Sequence, residues 1–170
     1  MRLRSLLCLA ILAAPLPAQS LREQVRTWRE AREPEIIREF GALLSIPNIA
    51  SDTASLARNA RQIVAMLAQR GVSARLLENG KWPPAVYGEL TAPGATRTIV
   101  LYAHYDGQPV DAREWRGGAP FAPQLREQRG GEWVDIAVPT SGRVNPEARL
   151  FARGAGDDKA PIVAMLNALD

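Results

Sequence analysis

The stretch Thr98–Pro109, TIVLYAHYDGQP, constrains the fold more than any other part of the chain. An uninterrupted apolar run, Ile99 to Ala103, leads into His104 and Asp106, and Gly107 and Pro109 then break it. A run of that length, rich in Val, Ile, Leu and Tyr, is the composition of a strand buried on both faces of a sheet. In open α/β sheets, function collects at the carboxyl ends of such strands. His104 is the only histidine in the chain and it stands at that end. Asp106, two residues on, is close enough to orient the imidazole or to share its metal. A lone histidine is more often structural than functional. Its place at a strand end beside a carboxylate points instead to a metal site.

A second informative stretch, ARGAGDDKAP, spans Ala152–Pro161 and precedes an apolar helix expected from Ile162 to Leu169. Carboxylates at a helix start lie next to free backbone N–H groups. Asp157 and Asp158 taken alone are therefore also readable as helix caps.

Between and before these stretches the chain reads as alternating helices and strands. Ser20 to Arg32 carries Leu21, Val25 and Trp28 at helical spacing. A second helix is expected from Pro34, with Ile36, Ile37, Phe40, Leu43 and Leu44 on one stripe and Pro47 as its stop. Ser51, Asp52 and Thr53 are cap candidates for a third helix reaching Arg70, with Leu56, Ala60, Ile63 and Leu67 on one face and Gly71 as terminator. Strands follow at Val72–Leu77 and Ala85–Leu90, separated by Asn79-Gly80 and Pro83-Pro84. The order predicts an α/β domain, a mixed sheet flanked by helices, because the Asn79-Gly80 turn implies an antiparallel pairing. From Val110 to Arg149 the chain is broken by Gly130-Gly131, Pro139, Gly142 and Pro146. It reads as short strands near Gln124–Arg126 and Trp133–Val138 and a long loop.

Composition bounds the partners. The 170 residues suffice for one domain with a sizeable core. Residues 1–18 read as a secretory signal: Arg2 and Arg4 ahead of apolar Ser5–Ala14, with cleavage before Gln19, in a segment too short to span a bilayer. Cys8, the only cysteine, falls within it, so the processed chain, residues 19–170, would hold neither disulfide nor thiol nucleophile. Without Arg2 and Arg4 the basic count falls from 21 to 19, against 18 acidic residues. That balance gives no reason to expect nucleic acid or anionic lipid as a partner. A secreted or periplasmic protein, free of the membrane after cleavage, is the expectation.

Taken together, the two motifs resemble a known family. A strand ending in His-x-Asp-x-Gln-Pro, then a Trp and a Pro-Phe, then Arg-Gly-x-x-Asp-Asp-Lys before a helix, is similar to the co-catalytic di-zinc exopeptidases. These include carnosinase-type dipeptidases, glutamate carboxypeptidases, aminoacylases, acetylornithine deacetylase and succinyl-diaminopimelate desuccinylase. The Asp-Asp-Lys form with Gln108-Pro109 most resembles the dipeptidase branch. Ile36–Pro47, IIREFGALLSIP, is similar to the family's opening helix, and the likeness extends over residues 35–170.

The resemblance implies that His104 binds one zinc and that Asp157 bridges two. It places Asp106 among the catalytic residues as the group that orients His104 and tunes its basicity. The chemistry suits the residue types, since imidazole nitrogen and carboxylate oxygen are zinc donors. If both bind one ion, their donor atoms should lie within about 3–5 Å of each other, although 53 positions separate them in the sequence. Asp158 and Lys159 match the motif without an assignable role; capping and a surface salt bridge are the readings for them.

The family's remaining ligands, its general-base glutamate and its lid or dimerisation domain come from sequence beyond the Asp-Asp-Lys helix. The expectation is therefore the amino-terminal part of a zinc-exopeptidase-like catalytic domain, truncated and inactive by itself. The parent would hydrolyse small peptides or N-acyl amino acids, including C-terminal peptide bonds, and the resemblance is compatible with a homodimer. Two alternatives stand beside it: a binding or interaction module that keeps the fold without the chemistry, and an unrelated α/β protein in which His104 and Asp157 are structural. The stretch around Trp133–Pro146 is longer than in the family and reads as an exposed loop.

Overall fold

The computed structural model describes residues 20–170, so residues 1–18 with Cys8, and the cleavage point before Gln19, lie outside the described residues. Helix α1 (Leu21–Leu44) opens on a reciprocal cap, in which Ser20 Oγ accepts from Glu23 N–H at 3.3 Å and Glu23 Oε2 accepts from Ser20 N–H at 3.0 Å. Two helices separated at Pro34 are expected from the sequence, yet α1 runs unbroken through that proline. A mid-helix proline removes one backbone hydrogen bond. The flanking turns are held from outside instead. Val144 N–H donates to Glu33 Oε2 at 2.9 Å, Arg38 Nη1 to Pro139 O at 2.8 Å, and Arg143 pairs with Glu30 at 3.0 Å. The long segment expected as an exposed loop is thus docked along α1 by its residues 139–144.

Helix α2 (Thr53–Gln69) is capped by Asp52, whose Oδ1 accepts from Ser55 N–H at 2.9 Å. It buries Leu56, Ala60, Ile63 and Met66. Strands β1 (Ser73–Asn79) and β2 (Trp82–Glu89) form an antiparallel hairpin in register Ser73↔Glu89 to Leu77↔Ala85, with α2 against both strands. A second antiparallel sheet has the order β4-β3-β5, from β3 (Gln124–Arg129), β4 (Glu132–Asp135) and β5 (Arg149–Phe151). A turn, Ala155–Lys159, with non-helical backbone at Asp157 and Asp158, leads into α3 (Ala160–Asn167). The core joins α1, α2 and α3 through Leu43, Ile63, Met66, Ile162, Val163 and Leu166, with Phe40, Val86, Ala103 and Tyr105 packed on it.

The α/β class with flanking helices holds; the pairing within it differs from the reading above. The strands make two separate antiparallel sheets, and parallel pairing among the described residues is a single bridge, Ile49 with Gly107. The apolar run Ile99–Ala103 joins no ladder among the described residues, and its first four residues are 58–85% exposed rather than buried. A strand buried on both faces needs a neighbour on each side. Here β1 and β2 pair with each other and β3 lies between β4 and β5, so no described strand flanks the run. Its distal end is held nevertheless: Ala103 and Tyr105 reach the core, and the Tyr105 hydroxyl donates to Pro84 O.

Candidate metal centre

His104 follows the apolar run and sits where three segments meet. Its backbone N–H donates to Asp158 Oδ2 at 3.1 Å, which ties the residue to the turn before α3. Its Nδ1 faces Asp106, 3.0 Å from the backbone oxygen and 3.2 Å from Oδ1. Two acceptors lie around Nδ1, so a neutral ring protonated there would present its Nε2 lone pair to the far side. Nε2 stands 3.1 Å from Asp157 Oδ1 and 3.9 Å from Asp158 Oδ2.

A lone pair facing carboxylate oxygens at that distance is repulsive unless a proton or a cation lies between them. Partial burial works against the imidazolium. The Asp106 carbonyl and the Asp158, Asp106 and Asp157 carboxylates outweigh it, and His104 titrates above the ordinary histidine range. The site therefore attracts positive charge, whether as a second ring proton or as a metal ion.

All three residues expected at the site come together. The Asp157 side chain is exposed and approaches His104 from the far motif, while Asp106 flanks the opposite edge of the ring. The donor set suits Zn²⁺ in kind, an imidazole nitrogen and a carboxylate oxygen converging from two segments. In number it is short: no group of three or more His, Cys, Asp or Glu side chains among the described residues is arranged to hold a metal ion. The residues present fit one edge of a metal site.

Two motif residues without an assigned role acquire one. Asp158 clamps the His104 backbone. Lys159, read as a surface ion-pair residue, is fully buried, and its Nζ donates to Leu43 O at 2.8 Å and Ile46 O at 2.7 Å. Leu43 lies in the last turn of α1 and Ile46 just beyond it, at the helix end that favours a cation. The motif lysine was visible in the sequence; its partners are more than a hundred positions away.

No family model matches the chain. It is 22% identical over 153 residues to the Cys-Gly metallodipeptidase of Schizosaccharomyces pombe, covering 83% of this chain and 28% of that protein. It is 25% identical to the Cys-Gly metallodipeptidase of Candida albicans, covering 91% and 30%. To the human β-Ala-His dipeptidase it is 24% identical, covering 92% and 30%. Among solved structures, human carnosine dipeptidase 1 superposes with a TM-score of 0.69 at 21% identity, covering 90% of this chain and 31% of that one. The dipeptidase Dug1p of Saccharomyces cerevisiae gives 0.61 at 17%, covering 87% and 29%. These structures share the fold. The chain thus spans less than a third of the length of the curated relatives it matches.

The likeness read from the two motifs is upheld: the S. pombe and C. albicans relatives are metallodipeptidases and the human one a dipeptidase, and the chain corresponds to their amino-terminal part. A secreted or periplasmic location is corrected. The likeness to the metallodipeptidases of S. pombe and C. albicans leans against export. Among the described residues, no helix is long and apolar enough to cross a membrane.

Proposed function

We propose that this chain is the amino-terminal portion of a zinc-dependent dipeptidase, contributing His104 and Asp157 to the metal site and Asp106 as the residue that orients His104. The observation that supports this most strongly is the 3.1 Å approach of His104 Nε2 to Asp157 Oδ1 from two motifs far apart in the sequence. Small peptides, or N-acyl amino acids of similar size, are the substrate class.

Each residue has a definable task. Asp106 accepts the Nδ1 proton and so presents Nε2 as the donor atom. Asp157 is exposed enough to share its second oxygen with another cation. Asp158 fixes the His104 backbone and holds the imidazole against Asp157. Zinc, when bound, supplies a Lewis acid that polarises a carbonyl and lowers the pKa of a bound water. A catalytic zinc takes three protein ligands and water. With two donors converging, the 170-residue chain binds zinc weakly and does not hydrolyse peptides alone.

The test measures zinc binding by the purified chain, beside His104→Ala and Asp157→Ala, together with turnover of dipeptides and N-acyl amino acids. The expected result is weak binding abolished in both variants, with no turnover in any sample. Binding unchanged in His104→Ala would overturn the site assignment. Turnover lost only in the variants would overturn the expected inactivity.

A further inference from the structure

The two motif-bearing segments meet a second time, away from the histidine, across Asn48 in the turn after α1. This side chain is fully buried. Its Nδ2 donates to Tyr105 O at 3.1 Å, and its backbone oxygen accepts from Gly107 N–H at 2.6 Å. Its Oδ1 is buried without a hydrogen-bond partner among the described residues. A polar group kept under those conditions is costly to the fold, which singles the position out.

The amide is wedged between two glycines, one in each motif. A methyl group on Gly107 would stand 2.8 Å from Asn48 Nδ2, and one on Gly154, at φ +79°, would stand 2.9 Å from the same atom. Gly107 directly follows Asp106, and Gly154 lies three residues before Asp157. The planar amide therefore fills the space between the segment carrying His104 and the segment carrying Asp157, and its N–H holds the first of them.

The turn that presents Asn48 is itself pinned. Asn59 Nδ2, from α2, donates to Pro47 O at 2.8 Å, and Lys159 Nζ holds Leu43 O and Ile46 O. Movement of Asn48 relative to the core is opposed on both sides.

We infer that Asn48 is a positioning residue for the His104–Asp157 pair: as a spacer and hydrogen-bond donor between Gly107 and Gly154, it sets the distance at which the two side chains present their donor atoms. The inference deepens the metal-site reading above and rests on it.

The experiment compares Asn48→Ala with Met66→Ala in the full 170-residue chain, at a temperature where both are folded. Met66 is a core residue outside the two motif segments, so its truncation costs stability through a cavity rather than through loss of the amide. Two quantities are read: the affinity for zinc chloride, and the ¹⁵N shifts of the histidine ring. Because the chain holds one histidine, those shifts belong to His104 alone. Asn48→Ala is expected to weaken zinc binding about tenfold or more, as loss of outer support at metal sites does, and to move the ring shifts. Met66→Ala should leave affinity within about twofold and the shifts in place.

Unchanged affinity and shifts in Asn48→Ala would overturn the inference, and so would the same changes in Met66→Ala. If the unsubstituted chain binds no zinc, the metal reading fails. The ring shifts then decide: a change confined to Asn48→Ala upholds the positioning role, and no change removes it. Should Asn48→Ala fail to fold, Asn48→Ser supplies the same comparison.

Discussion

Lys159 illustrates what one buried side chain can hold together. Burial pushes its ammonium down to about 7, and the amine retains donors for both carbonyls whether or not it carries a charge. The cost of burying charge is therefore relieved near neutral pH, and the hydrogen bonds decide the outcome of substitution. Lys159→Ala removes the side-chain donor to Ile46 O and to Leu43 O, the latter keeping Ile46 N–H at 3.3 Å, and opens a cavity between α1 and the turn before α3. A loss of about 2–4 kcal/mol follows, seen as a lower urea midpoint with an unchanged slope. A midpoint equal to that of the unsubstituted chain would show that water or a local rearrangement satisfies both carbonyls. At this scale the sequence was legible where chemistry is carried by residue type. His104, Asp106 and Asp157 stood out because an imidazole and carboxylates in that order suit a metal. Asn48 and the burial of Lys159 were not legible, because their roles depend on backbone groups supplied by distant segments.

Helix boundaries were legible where local chemistry sets them. Asp52 caps α2, and Pro47 and Gly71 bracket the turns on either side of that helix. Pro34 misled because its cost is met by contacts from residues 139–144, which no local pattern reveals. The α2 cap makes a prediction with a definite sign. The Ser55 side-chain and backbone hydrogen bonds hold the Asp52 carboxyl below its usual value of 3.8. A depressed folded-state pKa means that the unfolded chain binds the proton more readily, so the stabilisation is present above 3.8 and fades as pH falls through the folded value. Asp52→Ala should lower the thermal midpoint at pH 7, and its gap to the unsubstituted chain should narrow steadily below pH 3.8. A gap of constant size from pH 7 into that acid range would mean that the carboxylate contributes nothing as an ion.

On the scale of the whole molecule, the feature that most departs from a finished globular surface is the run Ile99–Tyr102. Ile99, Val100 and Tyr102 are 84%, 85% and 83% exposed and Leu101 is 58% exposed, in a segment with no ladder partner among the described residues. The sequence identified this run as strand-forming and apolar; what it could not supply was the identity of the neighbour, since pairing is a property of the assembled sheet. An unpaired, uncharged apolar segment is a template for another copy of itself, and natural edges suppress such pairing with lysine or proline. None of Ile99, Val100, Leu101 or Tyr102 is such a residue. The chain is therefore expected to self-associate with increasing concentration in sedimentation experiments. Val100→Lys, which puts a charge at the most exposed of the four, should shift it toward monomer while leaving far-ultraviolet circular dichroism and the urea midpoint nearly unchanged, because Val100 makes no core contact. Association that persists undiminished in Val100→Lys would place the contact elsewhere on the surface, whereas loss of the fold would show that the run is packed in solution.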